Sequence, residues 1–412
     1  MAEKSAVMPS APSTDRRRVA VTAIGIVSPL GIGEQETARS LREGRDAVTP
    51  VTRFDVSRCR SKTAGQMPAM WAAPGADSDR DERRWHPASR MLATATKEAH
   101  DQDPAFQPES IVIGTTSGGM SFGEAFYRAQ VEHRHPRARA GWLANYSPQK
   151  AVLDAQKAAG FCAPVQIIAN ACASGSNAIG HAWSLIASGQ KSRVLAGGYD
   201  AISEMVYVGF DSLQASTPEK IRPFAGDRSG LVLGEGAAVL SLEEWESASR
   251  RGATILAEVS GYGISTDNFH LTQPHPSGIG PLTAMQRALT AARRQPEEIG
   301  YINAHGTATA FNDATEGTAI AQLFGSRTPV SSTKSMMGHS LGAAGAIEAV
   351  FSIIALQHGF LPPNINYTTP DPAWSLDVIA NEARAASVDC IVSNSFGFGG
   401  TNASIVLERA RP

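Results

Sequence analysis

Short runs of β-branched and aliphatic residues recur along the chain and end at glycine or polar residues. Because these runs are apolar at every position rather than at alternate ones, they predict strands that are buried on both faces. Between them, apolar residues at helical spacing, such as Leu282, Met285 and Leu289, predict covering helices. The pattern therefore predicts an α/β fold. The predicted strands span residues 19–26, 111–114, 165–169, 194–197, 237–242, 255–259, 299–302 and 391–392.

The chain contains a weak internal repeat. The segment Val21-Thr-Ala-Ile-Gly25-Ile26 is similar to Val259-Ser-Gly-Tyr-Gly263-Ile264, which follows a charged segment. Each half later carries a strand, a polar loop and a helix rich in small residues. We interpret residues 18–251 and 252–412 as two similar halves. Residues 1–17, which begin with a segment rich in Ser, Pro and Ala, are predicted to form a disordered tail.

The charge and cysteine content exclude several classes of protein. The 412 residues include 37 Lys and Arg against 39 Asp and Glu, a net charge of −2 that argues against a nucleic-acid binder. Four cysteines without metal-ligand spacing predict neither a metal site nor a disulfide framework, and they indicate a reducing, cytoplasmic setting. The most apolar stretch, residues 341–356, is too short to span a bilayer and contains Glu348. We therefore expect a soluble cytoplasmic protein.

Cys172 is the first candidate for chemistry. It lies between a predicted strand and a small-residue helix, and Ser174 is a candidate N-cap of that helix. A thiol at a helix N-terminus experiences the positive end of the dipole, which lowers its pKa and favours the nucleophilic thiolate. The alternative is that Cys172 packs as a small buried hydrophobe, as the other three cysteines are expected to do.

Two histidines follow predicted strands and stand beside glycines. His305 lies in Asn303-Ala-His305-Gly, and His339 follows Lys334 by five residues. Each histidine taken alone fits a structural role. Taken together, two neutral imidazoles and a lysine could stabilise a thioester oxygen as it becomes an enolate.

Two glycine-containing motifs each allow more than one interpretation. The segment Asn394-Ser-Phe-Gly-Phe398-Gly-Gly-Thr-Asn402 is either a mobile turn or a nest of backbone N–H groups that stabilises an anion. Gly119-Met-Ser121-Phe-Gly123 matches the G-x-S-x-G pattern of serine hydrolases. In that pattern the serine sits directly on the strand-to-helix turn, whereas here residues 115–119 intervene. We therefore do not expect a serine hydrolase.

Taken together, six motifs in order resemble the elongating β-ketoacyl-acyl-carrier-protein synthases of the thiolase-fold superfamily. The resemblance extends from about residue 18 to residue 407. The motifs are Asn170-Ala-Cys172-Ala-Ser-Gly, Arg222-Pro-Phe-Ala-Gly-Asp-Arg228-Ser-Gly, Gly234-Glu-Gly-Ala, Asn303-Ala-His305-Gly-Thr-Ala-Thr, Ser332-Thr-Lys334-Ser-Met-Met-Gly-His339 and Asn394-Ser-Phe-Gly-Phe-Gly-Gly-Thr-Asn402.

The resemblance implies a thiolase-like, five-layered αβαβα fold with two duplicated halves. It implies that Cys172 takes the growing acyl chain as a thioester. It also implies that His305 and His339 bind the malonyl thioester and assist its decarboxylation. Lys334 matches the lysine that tunes this site, and Glu316 matches an acid in the supporting network.

The resemblance further implies an oxyanion hole made by the backbone N–H groups of Cys172 and Phe398, with the Phe398 side chain gating the acyl pocket. Thr307 and Thr309 match contacts to the phosphopantetheine arm. The implied reaction is a decarboxylative Claisen condensation that gives a 3-oxoacyl product. The expected substrates are carried on acyl carrier protein, the assembly is dimeric, and no metal or organic cofactor is expected.

One departure from the family pattern concerns the acyl pocket. Ser117 matches a position that is often large and apolar in fatty-acid enzymes, so an unsaturated or polyene chain of a type II polyketide-like pathway becomes plausible. Because acyl carrier proteins are acidic, we expect basic residues at the pocket mouth. Arg137, Arg139 and Arg90 are the candidates for this docking.

The sequence leaves two alternatives open. The chain could be a catalytic subunit that is active only as a heterodimer with a chain-length-factor-like partner. It could also be such a non-catalytic factor itself, but these lack the cysteine that stands here at Cys172. Homodimer and heterodimer, and the fatty-acid and polyketide pathways, are not distinguished by the sequence.

Overall fold

The computed structural model describes residues 16–68, 85–133 and 136–411, without the side chains of residues 136–140. The strands are β1 Val19–Ser28, β2 Gly31–Ile32, β3 Thr49–Pro50, β4 Thr63–Ala64, β5 Ser110–Gly114, β6 Val165–Ile168, β7 Arg193–Asp200, β8 Gly236–Glu244, β9 Ala257–Thr266, β10 Tyr301–Asn303, β11 Pro329–Ser331, β12 Phe360–Leu361, β13 Asp377–Val378, β14 Arg384–Ala385, β15 Cys390–Gly397 and β16 Thr401–Arg409.

The helices alternate with these strands. They are α1 Glu34–Glu43, α2 Pro87–Gln102, α3 Met120–Val131, α4 Pro148–Ala158, α5 Ser174–Ala187, α6 Glu204–Ser212, α7 Trp245–Arg250, α8 Ile279–Ala292, α9 Ala310–Phe324, α10 Lys334–Met337 and α11 Ala344–His358. Short 3-10 segments lie at Pro136–Tyr146, Pro296–Glu298 and Leu341–Ala343.

The strand order repeats in the two halves of the chain. In the first half it is β6-β5-β7-β8-β1, and in the second it is β13-β11-β10-β15-β16-β9. In the first half β5 pairs in parallel with β6 and β7, and β7 pairs antiparallel with β8. In the second half β10 pairs in parallel with β11 and β15, and β15 pairs antiparallel with β16. The halves join where β1 pairs with β9. The predicted duplication is therefore present in the topology itself.

Three large clusters of apolar side chains hold five layers together. Helices α2 and α4 cover the outer face of the first sheet through Met91, Leu92 and Val152. Helices α5 and α11 lie between the sheets and contribute Ile179, Trp183, Val350 and Phe351. Helix α8 covers the outer face of the second sheet through Leu282, Met285 and Leu289. The predicted αβαβα arrangement is confirmed.

Two features of the chain ends and core bear on the sequence expectations. Residues 1–15 of the predicted tail lie outside the described residues, whereas Arg17 donates its backbone N–H to Ala187 O at 3.2 Å.

The apolar stretch Leu341–His358 is long and apolar enough to cross a membrane, but 89% of it is buried inside the protein as part of the middle layer. We propose that the halves divide near residue 252, between α7 and β9.

The predicted strands all occur, but several are longer than the apolar runs suggested, most of all β7, β9 and β15. Strand β9 continues to Thr266, and β15 continues to Gly397 through the glycine-rich motif. Only residues 398–400 form the turn to β16. The interpretation of the whole motif as a mobile turn is therefore wrong, because its polar residues are buried and pair with β16.

Candidate active site

The nucleophile turn connects β6 to α5. Ala171 has φ 57°, a left-handed conformation that is costly for a residue with a Cβ atom. The turn is held by Ser174, whose hydroxyl donates to Ala171 O at 2.6 Å and accepts from the Asn170 N–H at 3.0 Å. The prediction that Ser174 is the N-cap is wrong, because Ala173 occupies that position and α5 begins at Ser174. The turn places Cys172 at the N-terminus of α5, where it is 6% exposed.

The thiol of Cys172 does not have the lowered pKa that its place at the helix predicts. Burial raises its pKa to about 11, and this outweighs the opposing effects of the Lys334 charge and of backbone hydrogen bonds. The backbone N–H groups of Phe398 and of Cys172 itself favour the thiolate and so oppose this rise in pKa. Gly397 packs closely against the nucleophile turn, because a Cβ atom there would lie 3.1 Å from the Cys172 nitrogen. These two backbone N–H groups, of Phe398 and Cys172, are the ones that the resemblance assigns to the oxyanion hole.

His305 and His339 meet as predicted, although they come from different strand ends. Their ring centroids are 5.3 Å apart and the ring planes lie at 86°. Burial and the nearby Lys334 charge hold the pKa of each imidazole well below its usual value, so both rings are neutral at pH 7. Among the described residues, Nδ1 of His305 and both ring nitrogens of His339 have no hydrogen-bond partner. Both rings can therefore contact a substrate oxygen.

Lys334 forms a buried ion pair that the sequence analysis did not predict. Its ammonium lies 2.5 Å from the Glu348 carboxylate, and the two side chains are only 2% and 3% exposed. Burial raises the pKa of Glu348 to about 7, and the Lys334 charge opposes that rise. The available signal was a glutamate within the most apolar stretch of the chain, which the sequence analysis used only to argue against a membrane helix.

Glu316 supports the His305 turn through the backbone. Its carboxylate accepts the N–H groups of His305 and Gly306, each at 2.8 Å, and the Asn394 amide at 3.2 Å. Burial raises the pKa of Glu316 to about 7. Because Glu316 contacts the backbone of His305 and not its ring, it fixes the position of the histidine.

A cavity of about 270 Å³ reaches Cys172, His305 and His339. Thr307 and Thr309 line it, and their hydroxyl groups lie 2.9 Å apart. The Phe398 ring stands in the same cavity and stacks on Phe210, a residue that the sequence analysis did not single out, with centroids 5.5 Å apart. Stacked aromatic pairs contribute about 0.5–1.5 kcal/mol, so this contact stabilises one position of the Phe398 ring.

Ser117 is not brought into this cavity among the described residues. Its backbone N–H donates to Asp200 at 2.7 Å, and its hydroxyl lies within hydrogen-bond distance of Asp200 and of Ala201 O. The Ser117 side chain is therefore engaged in hydrogen bonds to neighbouring residues and does not line the cavity.

Of the predicted docking residues, Arg90 lies half-buried on α2, away from the cavity lining. The side chains of Arg137 and Arg139 lie outside the described residues.

The G-x-S-x-G motif has a histidine neighbour but lacks a catalytic base. Ser121 Oγ lies 2.6 Å from Nε2 of His86, while Nδ1 of His86 accepts the Ala88 N–H at 3.0 Å. Burial lowers the pKa of His86 to about 3, so the ring is neutral and carries its proton on Nε2. The imidazole thus donates to Ser121 and cannot remove its proton. This geometry agrees with the expectation that the protein is not a serine hydrolase.

Comparison with known proteins identifies the family. Residues 16–248 match the beta-ketoacyl synthase N-terminal domain and residues 256–368 match the beta-ketoacyl synthase C-terminal domain. The chain is 36% identical to a Synechocystis 3-oxoacyl-[acyl-carrier-protein] synthase 2, over 96% of this chain and 99% of the relative.

Solved structures give the same result. The structure of the ishigamide ketosynthase/chain length factor is similar with a TM-score of 0.88 and 34% identity, over 96% of this chain and 100% of that chain. A type II polyketide ketosynthase in complex with its acyl-carrier protein and bound to a hexaketide has a TM-score of 0.85 and 27% identity, over 96% and 100% of the two chains. With the duplicated fold and the converging cysteine and histidines, these matches show that the chain belongs to the β-ketoacyl synthase family.

Proposed function

We propose that this protein is an elongating ketosynthase that condenses a malonyl unit with an acyl chain held on Cys172. The observation that carries the proposal is that Cys172, His305 and His339 line one cavity, although they come from opposite halves of the chain. The buried Lys334–Glu348 ion pair and the hydrogen bond between Glu316 and the His305 backbone belong to the same site.

In the loading step, the Cys172 sulfur attacks the thioester carbonyl of an acyl group on acyl carrier protein. The new C–S bond replaces the bond to the carrier, whose thiol leaves with the proton. The N–H groups of Cys172 and Phe398 stabilise the oxyanion of the tetrahedral intermediate. Because burial holds the thiol protonated at rest, the thiolate is formed only as the thioester approaches.

In the second step, the bond between the malonyl carboxylate and the α-carbon breaks and carbon dioxide leaves. The electron pair passes into the thioester as an enolate, whose oxygen accepts hydrogen bonds from the neutral rings of His305 and His339. No base has to remove a proton from carbon. The enolate carbon then attacks the Cys172 thioester, and collapse of that intermediate expels the cysteine thiolate and gives the 3-oxoacyl product.

Further parts of the proposal concern partners, substrates and setting. Thr307 and Thr309 would bind the phosphopantetheine arm, and Phe398 would gate the pocket, since all three line the cavity. The chain would dimerise with a second ketosynthase-like subunit, and the similarity to a ketosynthase/chain length factor pair favours a heterodimer as the second candidate assembly. We also propose that it acts in the cytoplasm. The need for no metal or organic cofactor stays a prediction.

The test uses purified protein with acyl-carrier and malonyl-carrier substrates. We expect a mass increase equal to the acyl group on Cys172, followed by release of carbon dioxide and of the 3-oxoacyl product. Cys172→Ser should fold but lose condensation, because a hydroxyl is far less ionised than a thiol. Condensation that persists without Cys172 would refute the mechanism. Co-expression with a second ketosynthase-like subunit would distinguish a catalytic chain that is inactive alone from a chain that is not catalytic at all.

A further inference from the structure

Asp200 is a fully buried carboxylate at the end of β7 that six donors surround. Five of them belong to the loop after β5, and the first four are the Thr115 hydroxyl at 2.8 Å and the backbone N–H groups of Thr116, Ser117 and Gly118 at 2.9, 2.7 and 2.8 Å. The Ser117 hydroxyl is the fifth, at 3.1 Å. Each contact is weak in net terms, but an acceptor with this many fixed donors cannot move without leaving several of them unpaired.

The sixth donor comes from the other half of the chain. The Gly342 N–H donates to Asp200 at 2.6 Å, three residues after His339. Between them Leu341 has φ 54°, a strained conformation for a residue with a side chain. Gly342 has no room for a side chain, since a Cβ atom there would lie 2.7 Å from the Thr115 backbone and 2.8 Å from Asp200. The carboxylate therefore fixes the segment that carries His339.

The loop after β5 also contacts the turn that presents the nucleophile. The Thr116 hydroxyl donates at 3.1 Å to Ala171 O, in the strained turn that presents Cys172. One carboxylate thus connects two strained turns, one in each half of the chain. Asp200 makes no hydrogen bond to Cys172 or His339, so it acts on them through Thr116 and Gly342.

We propose that Asp200 is a positioning residue that holds the Cys172 turn and the His339 segment in one relative geometry. The inference rests on the proposed function for its kinetic consequences, but the geometry that it assigns can be tested on the thiol alone. Asp200 acts on Cys172 through Thr116 and on His339 through Gly342, so the two connections can be broken separately.

The experiment compares three variants by alkylation of Cys172 with iodoacetamide and by malonyl decarboxylation. Asp200→Asn replaces one acceptor oxygen by an NH₂ group that faces N–H donors, and we expect it to slow both reactions at least tenfold per folded molecule. Thr116→Val removes only the hydroxyl bond to Ala171, and it should slow alkylation about threefold to tenfold while leaving decarboxylation unchanged. Asp103→Asn is the matched control, because it breaks a half-buried ion pair with Arg251 away from the site.

The decisive measurement is the double variant. If Asp200 acts on the nucleophile through Thr116, the losses in alkylation rate caused by Asp200→Asn and Thr116→Val are not additive, while their losses in stability add. Additive losses in alkylation rate would overturn the proposal. So would a loss of alkylation in Asp200→Asn that is no larger than the fraction of unfolded protein accounts for, as is expected of the control Asp103→Asn. Because alkylation needs no condensation, an inactive wild-type enzyme would refute the proposed function without affecting this test.

Discussion

Glu316→Gln should weaken both the stability and the decarboxylation step, with a distinctive dependence on pH. The carboxyl group accepts two backbone N–H groups at 2.8 Å, one on each oxygen, and both oxygens keep acceptor lone pairs when the group is protonated. The glutamine side chain can offer an oxygen to only one of these N–H groups. The other N–H group would face the amide NH₂. Leaving a buried donor without a partner costs about 1–3 kcal/mol, so we expect a loss of that size in the free energy of unfolding at pH 5.5.

The pH dependence follows from the raised pKa of Glu316. Its pKa in the folded protein is about 7, against 4.5 for an ordinary glutamate, so the folded state binds a proton that the unfolded state releases. Stability due to this group is complete below pH 4.5 and falls as pH rises towards 7. At about 1.36 kcal/mol per pH unit, wild type should lose about 2 kcal/mol between pH 5.5 and 7 through this carboxyl. Glu316→Gln lacks that loss.

The assay is urea unfolding of both proteins at pH 5.5 and 7, with Glu36→Gln as a control, since its side chain is 40% exposed. The destabilisation caused by Glu316→Gln should shrink by about 2 kcal/mol at the higher pH, and that of the control should not change. Malonyl decarboxylation should fall more than loading of Cys172, because Glu316 holds the His305 backbone. A constant destabilisation at both pH values would refute the raised pKa, and equal losses in both half-reactions would refute the action through His305.

Other predictions concern the donors and the docking surface. His305→Ala and His339→Ala should each permit loading but slow decarboxylation by about 10²–10³, measured as labelled carbon dioxide released; equal loss of loading would mean that the rings are structural. Gly397→Ala should impair loading by crowding the backbone nitrogen of the catalytic cysteine, and a normal rate of thiol acylation would contradict the proposed oxyanion hole. Arg137→Glu combined with Arg139→Glu should slow reaction with carrier-bound substrate, more at low salt, and spare a small acyl thioester; equal losses would exclude docking.

Much of the fold follows from local patterns that the sequence displays directly. The fully apolar runs predicted the buried strands β1, β5, β7 and β8, because a strand covered on both faces has no polar alternation. The order of six motifs predicted the family and, through it, the five layers. The same motifs predicted that Cys172, His305 and His339 converge, which no spacing along the chain could have required.

The tertiary structure decided the properties that depend on distant neighbours and on the exclusion of water. The position of Cys172 at a helix N-terminus predicted a lowered pKa, yet burial raises it to about 11, because desolvation of the thiolate outweighs the Lys334 charge and the backbone N–H groups that favour it. Ser121 looked isolated in sequence but lies 2.6 Å from a histidine whose tautomer excludes catalysis. Glu348, the ion-pair partner of Lys334, was recognisable in the sequence only as a charged residue within an apolar stretch.

The sequence by itself therefore determined the elements, the duplication and the chemical identity of the reacting groups. These depend on side-chain type and on periodicity along the chain. The structure alone decided the protonation states, the ion pair between Lys334 and Glu348, and the role of Asp200 between two strained turns. Each of these is set by contacts between residues that are far apart in the chain, such as Asp200 and Gly342, and by the low polarity that packing creates around them.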